Sequence, residues 1–239
     1  MTDASRESAS RKSASRKSWP DAHIPDQSGR TVIITGANSG LGADTAKALA
    51  ARGAQVILAC RNTDKADQVA AQIGPAATVR ELDLADLDSV RRFADSVDAA
   101  DILINNAGIM AVPLRRTAQG FESQMGTNHL GHFALTALLL PKISDRVVTL
   151  SSFMHLLGRI KLDDLNWERR IYRRWQAYGD SKMANLMFGL ELADRLREAG
   201  SEKKSFIAHP GIARTKLMGH SRSVYGPLMQ VFVRPLGQS

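Results

Sequence analysis

Short apolar runs, rich in valine and isoleucine, alternate along this chain with longer stretches in which apolar residues recur every three or four positions. The runs are typical of strands buried on both faces, and the stretches are typical of amphipathic helices. Six strands are predicted, at 31–35, 55–59, 77–82, 101–104, 146–150 and 204–208. The predicted helices between them are one ending near 52 and four at 62–73, 87–97, 119–140 and 176–199. This alternation predicts an α/β fold with a parallel sheet, helices on both faces and right-handed crossovers.

The two ends of the chain differ in character from the alternating region. Residues 1–18 repeat a Ser-Ala-Ser-Arg-Lys unit and hold almost no apolar side chains, so residues 1–28 are predicted to be a disordered basic tail and lead-in. The tail lacks the apolar core of a secretory signal. Residues 29–239 are predicted to form a single domain, in which the apolar segment 212–239 is expected to cover a substrate.

Composition and charge narrow the classes of function. The 239 residues are 44% hydrophobic and 5% aromatic, which favours helices packed on buried strands. The formal net charge is +8, but part of it lies in the tail and the rest is spread along the chain, so specific nucleic-acid binding is not expected. The longest apolar stretch, 133–140, is too short to cross a bilayer, so no transmembrane segment is predicted.

The cysteines and histidines of the sequence indicate where in the cell the protein is expected and whether it has a metal site. Cys60 is the single cysteine of the chain, which excludes an internal disulfide and is typical of a protein in the reducing cytoplasm. His129 and His132 are three positions apart but have no third candidate ligand, so no metal site is predicted. The sequence leaves open whether the protein is a monomer or a homo-oligomer.

A glycine-rich turn, Gly36-Ala-Asn-Ser-Gly-Leu-Gly42, lies directly between the first predicted strand and the first helix. Glycines allow a sharp turn and a close approach of the backbone to a pyrophosphate, whose charge meets the free N–H groups of the helix. The spacing differs from the usual Gly-x-Gly-x-x-Gly, and no Gly-Lys-Ser/Thr follows. The turn therefore indicates a dinucleotide site rather than a nucleotide triphosphatase loop.

The end of the second strand indicates which nicotinamide dinucleotide is bound. An acidic residue there would bind a free 2′-hydroxyl group and repel a 2′-phosphate. This chain has Arg61 and Asn62 at that place, and a guanidinium pairs well with a phosphate. The alternative is an arginine that is merely solvated. NADP(H) is therefore predicted in preference to NAD(H).

Three motifs in order resemble the short-chain dehydrogenase/reductase family. They are Thr35-Gly-x-x-x-Gly-x-Gly42, Asn105-Asn-Ala-Gly108 and Tyr178-Gly-Asp-Ser-Lys182, and Leu162-Asp-Asp-Leu-Asn166 is similar to the retinol-dehydrogenase-like branch. The resemblance implies a Rossmann-type, doubly wound sheet with strand order 3-2-1-4-5-6. Family members usually continue into a seventh strand, which is expected to be missing here.

The resemblance also implies specific contacts to the cofactor. The residue after the third strand, Asp83, matches an adenine contact, and the turn at 105–108 matches a region near the adenine ribose. Residues 209–212 match the turn that holds the nicotinamide amide. With the residues argued above, the expected cofactor contacts are Gly36, Asn38, Ser39, Gly40, Leu41, Gly42, Arg61, Asn62, Asp83, Leu84, Asn105, Ala107, Gly108, Tyr178, Lys182, Pro210, Gly211, Ile212 and Thr215.

The candidate chemistry centres on a tyrosine and a lysine. A tyrosine hydroxyl can move the proton that accompanies hydride transfer, provided that a nearby cation favours the phenolate. Tyr178 and Lys182 share one helix face at spacing i, i+4. The resemblance favours Ser152 over its neighbour Ser151 as the hydroxyl that orients the substrate oxygen, and it implies that Asn128 supports a proton relay.

These observations predict an NADP(H)-dependent oxidoreductase that interconverts an alcohol and its carbonyl compound. The apolar C-terminal segment indicates a lipophilic small-molecule substrate. The alternative is a catalytically silent NADP(H)-binding sensor or interaction protein, which would not need the Tyr178 and Lys182 pair.

Overall fold

The computed structural model describes residues 23–210 of the chain. Several predictions lie outside the described residues: residues 1–22 of the predicted tail and lead-in, the substrate-covering segment 212–239, the missing seventh strand, and the contacts expected from Gly211, Ile212 and Thr215. Within the described part, no helix combines the length and the hydropathy needed to cross a bilayer.

Six parallel strands form one sheet in the order β3-β2-β1-β4-β5-β6, which confirms the predicted Rossmann-type topology. The strands are β1 (Thr31–Thr35), β2 (Gln55–Cys60), β3 (Ala77–Glu81), β4 (Ala100–Asn105), β5 (Ile143–Leu150) and β6 (Lys204–Ala208). The strand order reverses between β1 and β4. Such a switch point opens a crevice at the carboxyl ends of the strands, where ligands bind in this type of sheet.

Helices cover both faces of the sheet. They are α1 (Gly40–Ala50), α2 (Thr63–Ile73), α3 (Leu87–Asp95), α4 (Ser123–Met125), α5 (Gly131–Leu139) and α6 (Arg174–Glu198). Because side chains alternate along a strand, β1 contributes to two cores. Ile33 packs with residues of α3, α5 and α6, and Val32 and Ile34 pack with residues of α1 and α2.

The predicted continuous helix at 119–140 is wrong. Residues Arg116 and Glu122 form an isolated antiparallel bridge, and α4 begins only after Glu122, whose buried carboxylate accepts hydrogen bonds from the first amides of that helix. A π-helical segment, Gly126–Leu130, then separates α4 from α5. The periodicity of apolar residues does not reveal a fully buried glutamate cap or a change of helical pitch. For this reason the sequence pattern predicts one continuous helix here.

Candidate functional site

The turn between β1 and α1 packs tightly against the turn that follows β4. Gly36 has a φ of 65°, and a Cβ atom on it would lie 2.9 Å from the Cα of Ala107. A Cβ atom on Gly42 would lie 2.5 Å from the Nδ2 of Asn106. The Asn106 amide donates to the carbonyl of Thr35 at 2.7 Å, so it ties the two turns together. Both glycines are therefore required by the packing of the site.

The amino end of α1 is open to an anion. Ser39 precedes the helix in extended conformation, its side chain makes no capping hydrogen bond, and the first turn contains no acidic residue. Gly40, with a φ of 53°, begins the helix, and Asn38 and Leu41 are partly exposed beside it. The uncapped N–H groups and the positive end of the helix dipole suit a pyrophosphate.

The carboxyl ends of β2 and β3 bring the next predicted residues together. The Arg61 side chain is 72% exposed, and its guanidinium lies 4.0 Å from the carboxylate of Asp83. Asp83 also accepts a hydrogen bond from the amide of Ala85 at 2.9 Å. The Asn62 side chain caps α2 by accepting from the amide of Lys65, so its oxygen already has a structural partner. Because this ion pair is long and the guanidinium is exposed, Arg61 can also contact a phosphate.

Two predicted cofactor residues have side chains that point into the protein. Asn105 is buried, and its Nδ2 donates to the hydroxyl of Thr136 at 2.9 Å. Leu84 is buried against α5, where a Cβ atom on Gly131 would lie 2.3 Å from the Leu84 carbonyl oxygen. At both positions only the backbone remains for a ligand. Gly108, by contrast, lies beside Asn128 and Lys182.

The two serines at the end of β5 have different partners. The Ser151 hydroxyl is buried and donates to the backbone carbonyl of Lys182 at 2.9 Å. The Ser152 hydroxyl accepts from the amide of Met154 at 3.3 Å, and the Ser152 side chain lies close enough to Tyr178 to lower the pKa of the tyrosine. Ser152 is therefore the serine whose side chain affects Tyr178, and its role towards a substrate stays a prediction.

Tyr178 and Lys182 lie on α6, both nearly buried, with the lysine Nζ 5.8 Å from the centroid of the tyrosine ring. Nζ donates to the carbonyl of Leu150 at 3.1 Å. Burial lowers the pKa of Lys182 to about 8. Burial also raises the pKa of Tyr178, and the Ser152 side chain opposes this rise. Lys182 was expected to lower the pKa of Tyr178, but it is not one of the groups that shift this pKa.

Asn128 lies in the π-helical segment and connects the turn after β4 to α6. Its Oδ1 accepts from the amide of Ile109 at 2.8 Å, and its Nδ2 donates to the carbonyl of Ile109 and to the hydroxyl of Ser181, each at 2.9 Å. Ser181 in turn donates to the carbonyl of Tyr178 at 2.7 Å. Asn128 thus fixes the turn at 105–108 relative to the tyrosine.

Sequence reasoning missed several residues that build this site. Asn185 donates to the same Leu150 carbonyl as Lys182. Asp180 is buried and accepts from the amide of Arg159 and from the side chain of Gln176, so it holds the segment after β5 against α6. Asp180 and Ser181 lie inside the Tyr178–Lys182 motif. Their position between two candidate site residues on one helix could have indicated that they help to build the site.

The switch point of the sheet contains a cleft of about 270 Å³. Its walls come from α1 and from the ends of β4, β5 and β6, and the lining residues include Leu41, Thr45, Asn106, Leu150, His209 and Pro210. The cleft lies between the amino end of α1 and the end of β5 that leads into Ser152. This arrangement can hold a flat, largely apolar group whose anionic part rests on α1.

Comparisons with known proteins agree on one family. A sequence model described as short chain dehydrogenase matches residues 30–163. The chain is 44% identical over 227 residues to retinol dehydrogenase 13 from Homo sapiens, covering 86% of this chain and 68% of that protein. It is 46% identical over 206 residues to retinol dehydrogenase 12 from Homo sapiens, covering 81% of this chain and 64% of that protein.

Solved structures give the same result. A Mycobacterium Paratuberculosis protein described as uncharacterized is 56% identical, with a TM-score of 0.80, covering 86% of this chain and 81% of that one. A 3-ketoacyl-(acyl-carrier-protein) reductase from Brucella melitensis, complexed with NADH, is 25% identical, with a TM-score of 0.65, covering 80% of this chain and 79% of that one.

Proposed function

The chain belongs to the short-chain dehydrogenase family, and we propose that it moves a hydride between NADP(H) and a lipophilic alcohol or its carbonyl compound. The observation that carries this proposal is that Tyr178 and Lys182 lie together on α6, with the Lys182 ammonium donating to the carbonyl of Leu150, a residue that lines the cleft at the switch point. In the proposed mechanism a substrate oxygen meets the hydroxyls of Tyr178 and Ser152.

The residues present fit a nicotinamide dinucleotide. The open amino end of α1 would hold the pyrophosphate, and the cleft at Leu150 and Pro210 would hold the nicotinamide. Lys182, which is buried and charged near neutral pH, would bind the nicotinamide ribose. When bound, this cofactor supplies the hydride chemistry.

The protein's own groups would then handle the proton. The Tyr178 hydroxyl would donate a proton to the oxygen of a carbonyl substrate, or accept one from an alcohol. Ser152, whose side chain lowers the pKa of Tyr178, would orient the same oxygen and stabilise its developing charge. Because burial raises the pKa of Tyr178, deprotonation in the oxidation direction would depend on added positive charge, which the oxidised nicotinamide ring would provide.

The preference for NADP(H) rests on Arg61. Its guanidinium is exposed at the end of β2, where the 2′ substituent of the adenine ribose is expected. Its ion pair with Asp83 is long, at 4.0 Å, so the guanidinium could also pair with a phosphate. Asp83 stands close enough to orient the arginine.

Cofactor choice can be measured by fluorescence titration with NADPH and NADH. We expect NADPH to bind at least tenfold more tightly, as is typical of one or two charge-assisted hydrogen bonds worth about 1–3 kcal/mol. Arg61→Asp should erase or reverse this preference. Arg195→Asp, which changes an exposed arginine near the far end of α6, is the matched control and should leave the preference unchanged. Equal affinities for the two cofactors in the unaltered protein would refute the assignment.

The lipophilic substrate is supported by two observations. The curated relatives carry the name retinol dehydrogenase. In this chain, large apolar side chains follow Ser152 directly, with Phe153, Leu156 and Leu157 exposed close to the catalytic hydroxyls. A screen that follows NADPH absorbance with retinal, shorter aldehydes and polar ketones should show the highest kcat/KM for retinal. Tight NADPH binding without turnover of any carbonyl compound would favour the catalytically silent sensor instead.

A further inference from the structure

A buried histidine on α5, His132, connects the turn between β1 and α1, called the cofactor turn below, to Asn128 in the π-helical segment. His132 is 1% exposed and lies between the sheet and the helix. Its Nε2 is 2.8 Å from the hydroxyl of Thr35, the residue directly before Gly36. Its Nδ1 is 2.9 Å from the backbone carbonyl oxygen of Asn128. Both ring nitrogens are therefore engaged by residues that flank the site.

These contacts define the tautomer of the ring. A carbonyl oxygen can only accept a hydrogen bond, so the Nδ1 of His132 must carry the hydrogen that it donates to Asn128. Nε2 then has a lone pair and accepts from the Thr35 hydroxyl. That hydroxyl oxygen accepts in turn from the amides of Asn106 and Ala107, each at 2.9 Å. The hydroxyl hydrogen has a second acceptor, the Ile104 carbonyl at 3.4 Å, but the contact with Nε2 is shorter and takes the hydrogen.

The ring remains neutral at ordinary pH. Burial, helped by the nearby charges of Lys182 and His129, lowers the pKa of His132 to about 3, although the hydrogen bond that Nδ1 donates to the Asn128 carbonyl opposes this shift. A neutral ring can keep one donor and one acceptor, which both partners require. A protonated ring would lose the bond to the Thr35 hydrogen.

We propose that His132 is a positioning residue that fixes the cofactor turn and the Asn128 carbonyl relative to each other through a neutral ring held in the Nδ1–H tautomer. One side of the ring orients Thr35 and, through it, the amides of the 105–108 turn. The other side orients the peptide of Asn128, whose side chain reaches Ser181 on the catalytic helix. This inference rests on the proposed function, because it assumes that a nucleotide and a substrate meet between these two elements.

The first test reads the tautomer without using activity. Nitrogen-15 NMR of the histidine rings in the full chain should show His132 as the neutral Nδ1–H form from pH 5 to 8, although free imidazole side chains titrate near 6.5. An Nε2–H form, or titration of this ring within that range, would overturn the proposal.

The second test separates the two ring nitrogens by substitution. His132→Asn keeps a donor near the Nδ1 position and removes the acceptor for Thr35, so the Kd for NADPH should rise about five- to tenfold while kcat with retinal changes less than about twofold. His132→Gln keeps an acceptor near the Nε2 position and removes the donor to Asn128. It should lower kcat about five- to tenfold and leave the Kd within about twofold.

Controls keep the outcome readable. Leu138→Gln alters an exposed position of the same helix and should change neither quantity. If both histidine variants lose affinity and turnover in parallel, His132 supports the fold without the proposed division of roles, and the proposal fails. If the variants do not fold, the NMR measurement on the unaltered protein still decides. If that protein binds NADPH but reduces no carbonyl compound, the proposed function fails, whereas the tautomer and the Kd of His132→Asn still test this inference.

Discussion

Replacing Lys182 by methionine should make the folded protein more stable at pH 7, although it should also remove the proposed contact with the nicotinamide ribose. The lysine is 5% exposed, and burial lowers its pKa from 10.5 to about 8. At about 1.4 kcal/mol for each pKa unit, keeping this group charged in the folded protein costs about 3 kcal/mol near neutral pH. Methionine has a similar unbranched stem and no charge to desolvate.

The loss of one hydrogen bond offsets part of this gain. The Lys182 Nζ donates to the Leu150 carbonyl, and such a bond contributes about 1 kcal/mol. Asn185 donates to the same carbonyl, so the oxygen keeps a partner in the variant. The net stabilisation at pH 7 should be about 2 kcal/mol, or a rise in Tm of about 4–8 °C for a domain of this size.

The gain should depend on pH in a defined direction. The unfolded chain binds a proton at this amine up to about pH 10.5, and the folded protein releases it near pH 8. Between these values the unfolded state binds more protons, so the unaltered protein gains stability as the pH rises through this window. The advantage of Lys182→Met should therefore be full at pH 7 and small near pH 10.5.

Urea unfolding of both proteins at pH 7 and pH 10 measures this difference directly. Lys65→Met, which removes an exposed lysine of α2, is the matched control and should change the free energy of unfolding by less than about 0.5 kcal/mol at pH 7. A variant that is less stable than the unaltered protein at pH 7, or a gain that is equal at both pH values, would refute the reasoning.

Two further predictions concern the serines and the glycine turn. Ser152→Ala should lower kcat by about 100-fold or more, because in the proposed mechanism its hydroxyl orients the reacting oxygen. Ser151→Ala should mainly reduce stability by about 1 kcal/mol through the lost bond to the Lys182 carbonyl. Steady-state kinetics and thermal unfolding separate the two variants, and equal losses of kcat would contradict the assignment. Gly42→Ala should weaken NADPH binding and lower the Tm, because its Cβ would lie 2.5 Å from the Nδ2 of Asn106; unchanged affinity in a titration would show that the two turns can separate freely.

The sheet could be predicted from the sequence because each strand is a short apolar run between turn residues. β1, buried on both faces, has the predicted bounds, and β5 begins three residues earlier than predicted, at Ile143, where it pairs with Ala100.

The helix prediction failed where tertiary contacts control the backbone. Gly126 and Gly131 pack closely on Thr117 and Leu84, and these contacts join positions that are distant in sequence.

The candidate site was predictable to the extent that its residues fall in local motifs. Tyr178 and Lys182 share a helix face, and their spacing alone shows this. The sequence could not predict the role of His132, because its partner Thr35 is 97 residues away. The spacing of His129 and His132 by itself is typical of a metal ligand pair. Buried polar networks of this kind depend on how the helix docks on the sheet, which apolar periodicity does not encode.

The most direct test of the central claim is the replacement of Tyr178 by phenylalanine, with NADPH affinity and retinal reduction measured on the same preparation. In the proposed mechanism the hydroxyl acts on the substrate, so its loss should reduce kcat by about 100-fold or more while the Kd for NADPH stays within about twofold. The ring keeps its packing, and the circular dichroism spectrum should be unchanged. A Tyr178→Phe protein that retains a third of the activity would contradict the assignment of this tyrosine as the acid and base.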